Sequence, residues 1–520
     1  MKFSKLNLFF GGIFALSCWF FIVWGYEFVG STNTMIFLCA SLFGLFMAFN
    51  IGGNDVANSF GTSVGAGTLT LTQALLIAAV FEVSGAVLAG ANVTDTIRSG
   101  IVNLDSLSAS PMDFVYIMIS ALFSASIWIF LATKKGWPVS TTHAIVGAIV
   151  GASLTLGFML DIKEISVLYL VKWSKIGSIV ISWFLSPLLG GICSFVLYKS
   201  VKKYILNYNA IAELKIEKIK KKKKELKKIH KKIFDELSEA EKVKFTEAMN
   251  MDIFTMKDPN FDPNDLDTEY FKKIHELDAK KESLKSHQAL EMGIPAIAAF
   301  GVGVVSSMFI FKGLKNLELG LSNLQNYLII AMISAATWMA MFIFAKTLRR
   351  SDLSKSTFLM FSWLQVFTAA GFAFSHGSND IANAVGPFAA IIDTLANNTI
   401  NPTAEVPPII MATFGVALVT GLWFMGKEVI KTVGTSLTTI HPASGFCAEL
   451  AAASVVMSAS ILGLPVSSTH ILVGAVLGIG VVNAQANWAL MKPIALTWVI
   501  TLPAAAVISS VGFVILKIVF

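Results

Sequence analysis

A chain of 520 residues with 55% hydrophobic side chains, only 14% charged ones and a mean hydropathy of +0.69 lies outside the range of soluble globular domains and inside that of polytopic membrane proteins. The formal charge of +7 is not spread evenly, because residues 199–290 hold 22 lysines against 17 aspartates and glutamates, a surplus of five in one segment. Cys18, Cys39, Cys193 and Cys447 stand in apolar runs without CxxC or metal-like spacing and read as small buried hydrophobes rather than disulfides or metal ligands.

In chain order, Lys2 and Lys5 precede an apolar run from Leu6 to Trp24 that is long for a signal peptide and has no small-x-small site after it, so an uncleaved membrane helix near 6–26 is expected. Segments able to cross a hydrocarbon core of ~30 Å follow near 34–50, 71–91, 112–132, 138–160, 173–198, 291–311, 326–346, 360–375, 381–393, 408–426, 445–463, 466–482 and 493–519. Several are short or interrupted by glycine. Phe49 to Gly61 places Asn50, Asn54, Asp55 and Asn58 among glycines at membrane depth, and Phe374 to Gly386 repeats the pattern 325 positions later, with Asn379-Asp380-Ile381-Ala382-Asn383 matching Asn54-Asp55-Val56-Ala57-Asn58. Plain spans are not expected at 50–65 and 376–393, since non-helical backbone at that depth must lie inside protein or against a water-filled cavity.

The basic segment between the two frames carries Lys220 to Lys224 in one run and an apolar pattern of Ile216, Ile219, Leu226, Ile229, Ile233 and Leu237, which predicts a charged helical hairpin. Ser238-Glu239-Ala240-Glu241 has the form of a capping box, and Asp258 to Asp267, with two prolines, reads as loop. The lysines suit a solvated face or, as the alternative, contact with anionic headgroups.

Basic residues set the orientation. Lys2/Lys5, Lys134/Lys135, Arg349/Arg350/Lys355 and Lys427/Lys431 fall on the side of the basic segment, with Lys312 and Lys315 as exceptions. The two Asn-Asp copies then run antiparallel, as in inverted-repeat transporters. The expected fold is an all-α polytopic membrane protein of two inverted-topology repeats with broken or re-entrant helices, about 12 membrane segments and a cytoplasmic insertion. The expected divisions are an extra first helix (1–33), a first repeat (34–198), the insertion (199–290) and a second repeat (291–520).

A second duplication supports this division. Gly136-Trp137-Pro138-Val139-Ser140-Thr141-Thr142-His143 recurs 327 positions later as Gly463-Leu464-Pro465-Val466-Ser467-Ser468-Thr469-His470. A weaker echo pairs Val93 to Ile97 with Val429 to Val433. Proline followed by hydroxyl residues is a helix start, and a helix N-terminus attracts anions through unpaired N–H groups and a partial positive charge. Ser140, Thr141, Thr142, Ser467, Ser468 and Thr469 are therefore candidates to enclose one tetrahedral oxyanion from two sides, the competing reading being that they only cap or bridge helices. Asn54, Asp55, Asn58, Asn379, Asp380 and Asn383 supply hard oxygen atoms for Na⁺ or another hard cation, helped by carbonyls of half-unwound backbone. Glu82 and Glu449 add carboxylates at the same depth, and His143 and His470 suit core packing, orientation of the hydroxyls or proton handling. His376 stands where the first copy has Ile51 and receives no symmetric role. A hydrolase is disfavoured because everything is duplicated and no Gly-x-Ser-x-Gly elbow is present. A channel is disfavoured by midplane carboxylates in broken repeats.

These motifs, with Phe81-Glu82 and Thr96-Ile97-Arg98, resemble the inorganic phosphate transporter (PiT) family over residues 34–198 and 291–519. The resemblance implies a symporter with phosphate near a pseudo-twofold axis, held by the hydroxyl-bearing helices, and Na⁺ held by the Asn/Asp segments. H⁺ coupling, a metal–phosphate substrate or another oxyanion such as sulfate are the alternatives. It further implies a homodimer in the cell membrane, with the lipid bilayer, phosphate and Na⁺ as partners and neither a covalent cofactor nor nucleic acid. The extra first helix and the insertion depart from the family pattern. Lys134 and Lys135, so near Ser140, place that hairpin tip nearer the cytoplasm.

Overall fold

Apolar runs become helices in hydrocarbon because an unpaired N–H or C=O has no water to turn to. The computed structural model describes residues 5–30, 33–103, 110–137, 139–160, 167–258, 261–313, 320–349, 351–401, 406–436, 440–486 and 488–520. Lys2, Pro138, Lys315 and Arg350, and the side chains of Asn58 and Lys431, lie outside the described residues. The first frame comprises α1 (Lys5–Val29), α2 (Thr34–Ile51), a π-helical turn (Gly52–Val56), α3 (Ala57–Gly65), α4 (Leu71–Ala89), α5 (Ala91–Ser99), α6 (Pro111–Lys134), α7 (Thr141–Met159) and α8 (Trp173–Val201). Then come α9 (Asn207–Glu236), α10 (Glu239–Thr255) and α11 (Glu269–Ser283) of the insertion. The second frame holds α12 (Ile294–Met308), α13 (Asn323–Thr347), α14 (Leu353–Asp380), α15 (Ala382–Asn397), α16 (Pro408–Ser436), α17 (Pro442–Ile461), α18 (Ser468–Asn483) and α19 (Trp488–Val519). Among the described residues 12 helices are long and apolar enough to cross a membrane, which makes this an all-helical, multi-pass membrane protein.

Two expectations about the membrane helices need correction. The Asn-Asp segments are not unwound: the first stays helical through its π turn, and the second runs from α14 into α15 with only Ile381 between them. Glycines that read as helix breakers serve close packing instead. A Cβ on Gly52 would fall 1.7 Å from the carbonyl oxygen of Leu418, and one on Gly421 would fall 1.7 Å from that of Phe49. The other copy repeats the pair, with Gly377 against the Glu82 carbonyl (2.2 Å) and Gly85 against that of Phe374 (2.0 Å). Each motif helix thus packs against a helix of the other frame, α2 on α16 and α14 on α4, through backbone contacts that only glycine permits. The second correction concerns Cys193, which is exposed on α8 rather than buried, while Cys447 is buried; all four cysteines are free thiols.

Two compact units are distinguished, one of Met1–Lys199, Ala298–Thr337 and Phe361–Phe520, the other of Ser200–Ile297 and Trp338–Met360. In the second, α9 packs on α11, and the insertion forms three helices rather than a hairpin of two. The Ser238 capping box is present, and hydrogen bonds from Ser238 hold the Glu241 carboxyl below its ordinary range. Ile219 is buried, but Ile229 and Ile233 are exposed, so the apolar pattern of α9 is only partly covered within this chain.

Candidate functional site

The two hydroxyl triplets divide their labour. Ser140 and Ser467 are helix caps: Ser140 Oγ accepts from the His143 N–H at 3.1 Å, and Ser467 Oγ accepts from the His470 N–H at 3.3 Å. The next residue in each copy turns to an aspartate, Thr141 Oγ1 donating to Asp55 Oδ2 at 2.5 Å and Ser468 Oγ to Asp380 Oδ2 at 2.6 Å. Thr469 Oγ1 crosses to the other frame and donates to Asp55 Oδ1 at 3.1 Å, while Thr142 Oγ1 donates to the Val466 carbonyl at 2.9 Å. The Asn383 amide donates to Thr141 and Thr142, both at 3.1 Å. All of these groups are buried. The N-termini of α7 and α18, both Asp-bearing segments and Asn383 therefore meet in one polar cluster.

Asn54 and Asn379 have another task. Asn54 Nδ2 donates to Thr133 Oγ1 and to the Trp137 carbonyl, both at 3.0 Å, while its Oδ1 accepts from the Val139 N–H at 3.3 Å. Asn379 repeats this with Ser460 Oγ and the Leu464 carbonyl, both at 3.1 Å, and the Val466 N–H at 3.2 Å. These amides staple the residues ahead of each capped helix, through Trp137 and Val139 in one copy and Leu464 and Val466 in the other, so their oxygens are already engaged. Sequence reasoning missed Thr133 and Ser460, although they stand at matching positions of the two copies.

The remaining candidates separate into three further groups. Glu449 accepts from Thr62 and Ser63, both at 2.6 Å, from Gln365 at 3.1 Å and from Thr368 at 2.8 Å. Glu82 lies with His376, which sequence symmetry had passed over: His376 Nδ1 is 2.8 Å from Glu82 Oε2, and Nε2 is 2.9 Å from Asp380 Oδ2. A carboxylate oxygen of Asp55, one of Asp380 and a ring nitrogen of His376 fall within 4.8 Å of one another, close enough to share a cation. Among the described residues, Asp380 Oδ1 and Asn383 Oδ1 are buried acceptors with no donor. His143 and His470 stack edge to face at 4.7 Å, each backed by a tryptophan, Trp183 at 3.9 Å and Trp498 at 3.7 Å. That packing lies directly behind the two hydroxyl triplets.

Known proteins resemble this chain over most of its length. Residues 51–509 match the phosphate transporter family. A protein of Mycobacterium bovis named as a phosphate permease is 56% identical over 517 residues, covering 99% of this chain and 93% of its own length. The chloroplastic inorganic phosphate transporter 2-1 of Arabidopsis thaliana is 32% identical over 473 residues, covering 90% of this chain and 70% of its own length. A solved structure described as the sodium-dependent phosphate transporter superposes with a TM-score of 0.70 at 30% identity, covering 94% of this chain and all of the other. The chain belongs to the phosphate transporter family.

Proposed function

We propose that this chain imports inorganic phosphate across the cell membrane by symport with Na⁺, through one site formed by both frames. The observation that carries the reading is the seating of Asp55 and Asp380 on the hydroxyls of two facing helix N-termini. Helix N-termini and hydroxyls favour an anion, yet two buried carboxylates beside it oppose one, because charges are poorly screened in a low-dielectric interior. Cations bound at the carboxylates resolve the conflict. Without them phosphate is repelled, and with them the buried charge is near balance. By linkage, phosphate raises cation affinity as much as the cation raises phosphate affinity, so the same atoms that bind the two substrates also couple them.

In this reading Thr141, Thr142, Ser468 and Thr469, each with one hydroxyl proton, turn from Asp55, Asp380 and the Val466 carbonyl to phosphate once Na⁺ takes their place at the carboxylates. Asp55, Asp380 and Asn383 face Na⁺, and Ser140, Ser467, Asn54 and Asn379 hold the hairpins in shape. The name of the structural relative, the sodium-dependent phosphate transporter, favours Na⁺. The division into repeats at 34–198 and 291–520, a cytoplasmic insertion and assembly as a homodimer belong to the same proposal. The test is uptake of labelled phosphate into proteoliposomes with Na⁺ and H⁺ gradients imposed separately. Accumulation driven by Na⁺ alone supports the reading; accumulation driven only by H⁺ replaces Na⁺ with the proton, and uptake of sulfate in preference to phosphate removes the substrate assignment.

A further inference from the structure

The two halves of the cation site are not alike. In one copy the Gly377 face meets the carbonyl of Glu82, and in the other the equivalent Gly52 face meets the carbonyl of Leu418. Glu82 and Gly85 are spaced as Leu418 and Gly421 are, so Glu82 occupies the place of Leu418. His376 likewise occupies the place of Ile51. Where the first copy buries the apolar pair Ile51 and Leu418, the second buries an imidazole and a carboxylate in contact. A buried polar pair in place of an apolar one costs desolvation, and it reaches a functional group here, because the far nitrogen of His376 touches Asp380.

We infer that His376 is a positioning residue for the Asp380 half of the cation site, that Glu82 anchors it, and that this pair makes the two halves bind the coupling cation unequally. The inference rests on the Na⁺ symport reading above. Three carboxylates surround His376: Glu82 from α4, Asp380 from its own helix and Asp55 from the π turn. Phe372 closes the ring edge at 6.5 Å. Asp380 Oδ2 accepts from Ser468 and lies 2.9 Å from His376 Nε2, which leaves Oδ1 without a donor among the described residues. Asp55 has only the hydroxyls of Thr141 and Thr469 as side-chain hydrogen-bond partners among the described residues, and a hydroxyl rotates. The Asp380 half therefore offers an open oxygen beside the ring, whereas both Asp55 oxygens must give up or share a rotating hydroxyl to take a cation. Pre-orientation of a ligand atom tightens binding by lowering the ordering cost.

The test measures phosphate uptake against Na⁺ concentration in proteoliposomes for the wild type, His376→Gln, His376→Ile and the double variant Glu82→Leu/His376→Ile, which copies the apolar pair of the other half. Each variant is expected to raise the Na⁺ half-saturation by roughly tenfold, equivalent to about 1.4 kcal/mol, while the phosphate KM at saturating Na⁺ stays near the wild-type value. The double variant removes Glu82 together with its partner and leaves Asp380 its Ser468 donor, so it keeps the test open where a single variant, with Glu82 stranded, fails to fold. A Na⁺-driven wild type whose inserted variants keep the same Na⁺ dependence overturns this inference alone. A phosphate KM that rises in step with the Na⁺ half-saturation overturns it too, by making the effect general to the site. A wild type indifferent to Na⁺ overturns the symport reading itself.

Discussion

Substituting alanine at neighbouring positions of one triplet separates binding from helix capping. Thr141 and Ser468 donate to carboxylates at 2.5 and 2.6 Å, whereas Ser140 and Ser467 accept from helix N–H groups at 3.1 and 3.3 Å. A hydrogen bond to a charged group contributes about 1.5–3 kcal/mol, and about 1.4 kcal/mol corresponds to tenfold. In the proposed site these donors pass to phosphate, so Thr141→Ala and Ser468→Ala are expected to raise the phosphate KM by roughly ten- to a hundredfold, equally in the two copies, whatever their melting temperature. Losing a helix cap costs about 1 kcal/mol. Ser140→Ala and Ser467→Ala are expected to lower the melting temperature while leaving the phosphate KM within a few-fold. The assay is uptake kinetics beside thermal unfolding of detergent-purified protein for all four variants. Unchanged phosphate dependence with reduced stability in Thr141→Ala and Ser468→Ala would refute the reasoning and return these hydroxyls to a purely structural role.

Asp55→Asn and Asp380→Asn are expected to abolish Na⁺-driven uptake in protein that still inserts; normal Na⁺ dependence in either would remove that residue from the cation site. Gly52→Ala and Gly377→Ala push a methyl group into the carbonyls of Leu418 and Glu82, an overpacking that costs about 1–3 kcal/mol. Both variants should show a lower melting temperature and reduced uptake, and full activity in both would mean that the helices separate at no cost. Tyr208 donates to the Lys285 carbonyl at 3.1 Å and ties together the ends of the insertion. Replacing residues 210–283 with a Gly/Ser linker should leave uptake unchanged, and lost uptake in inserted protein would make the insertion part of the mechanism.

What the sequence discloses here follows its duplications. The paired Asn-Asp and Pro-Val-Ser motifs were legible because each occurs twice at nearly one spacing, and the structure brings both pairs into one cluster. The tasks within a motif were not legible, since they depend on distant partners: the carbonyls stapled by Asn54 and Asn379 lie 83 and 85 residues along the chain. Glycine misled in a different way. Gly52 and Gly53 read as a break, but the same missing Cβ also admits a neighbouring backbone, and sequence does not say which use is made of it. His376 fell outside the symmetry argument because that argument looks for sameness. Its signal was the difference itself, a polar residue in one copy where the other has Ile51, matched by Glu82 against Leu418.

The cross-frame glycine contacts also bear on how the chain is made. Gly52 faces a carbonyl on Leu418, so the ribosome must add every intervening residue, the whole insertion included, before α2 meets its partner. At about 5–20 residues per second that wait is roughly 20 to 70 s. During it the first frame sits in the bilayer with the polar face of its Asn-Asp segment uncovered, exposed to premature pairing and to quality control. Neither frame is a finished product of synthesis on its own; the glycine contact forms when α16 arrives, and the polar cluster closes only when α18 follows it.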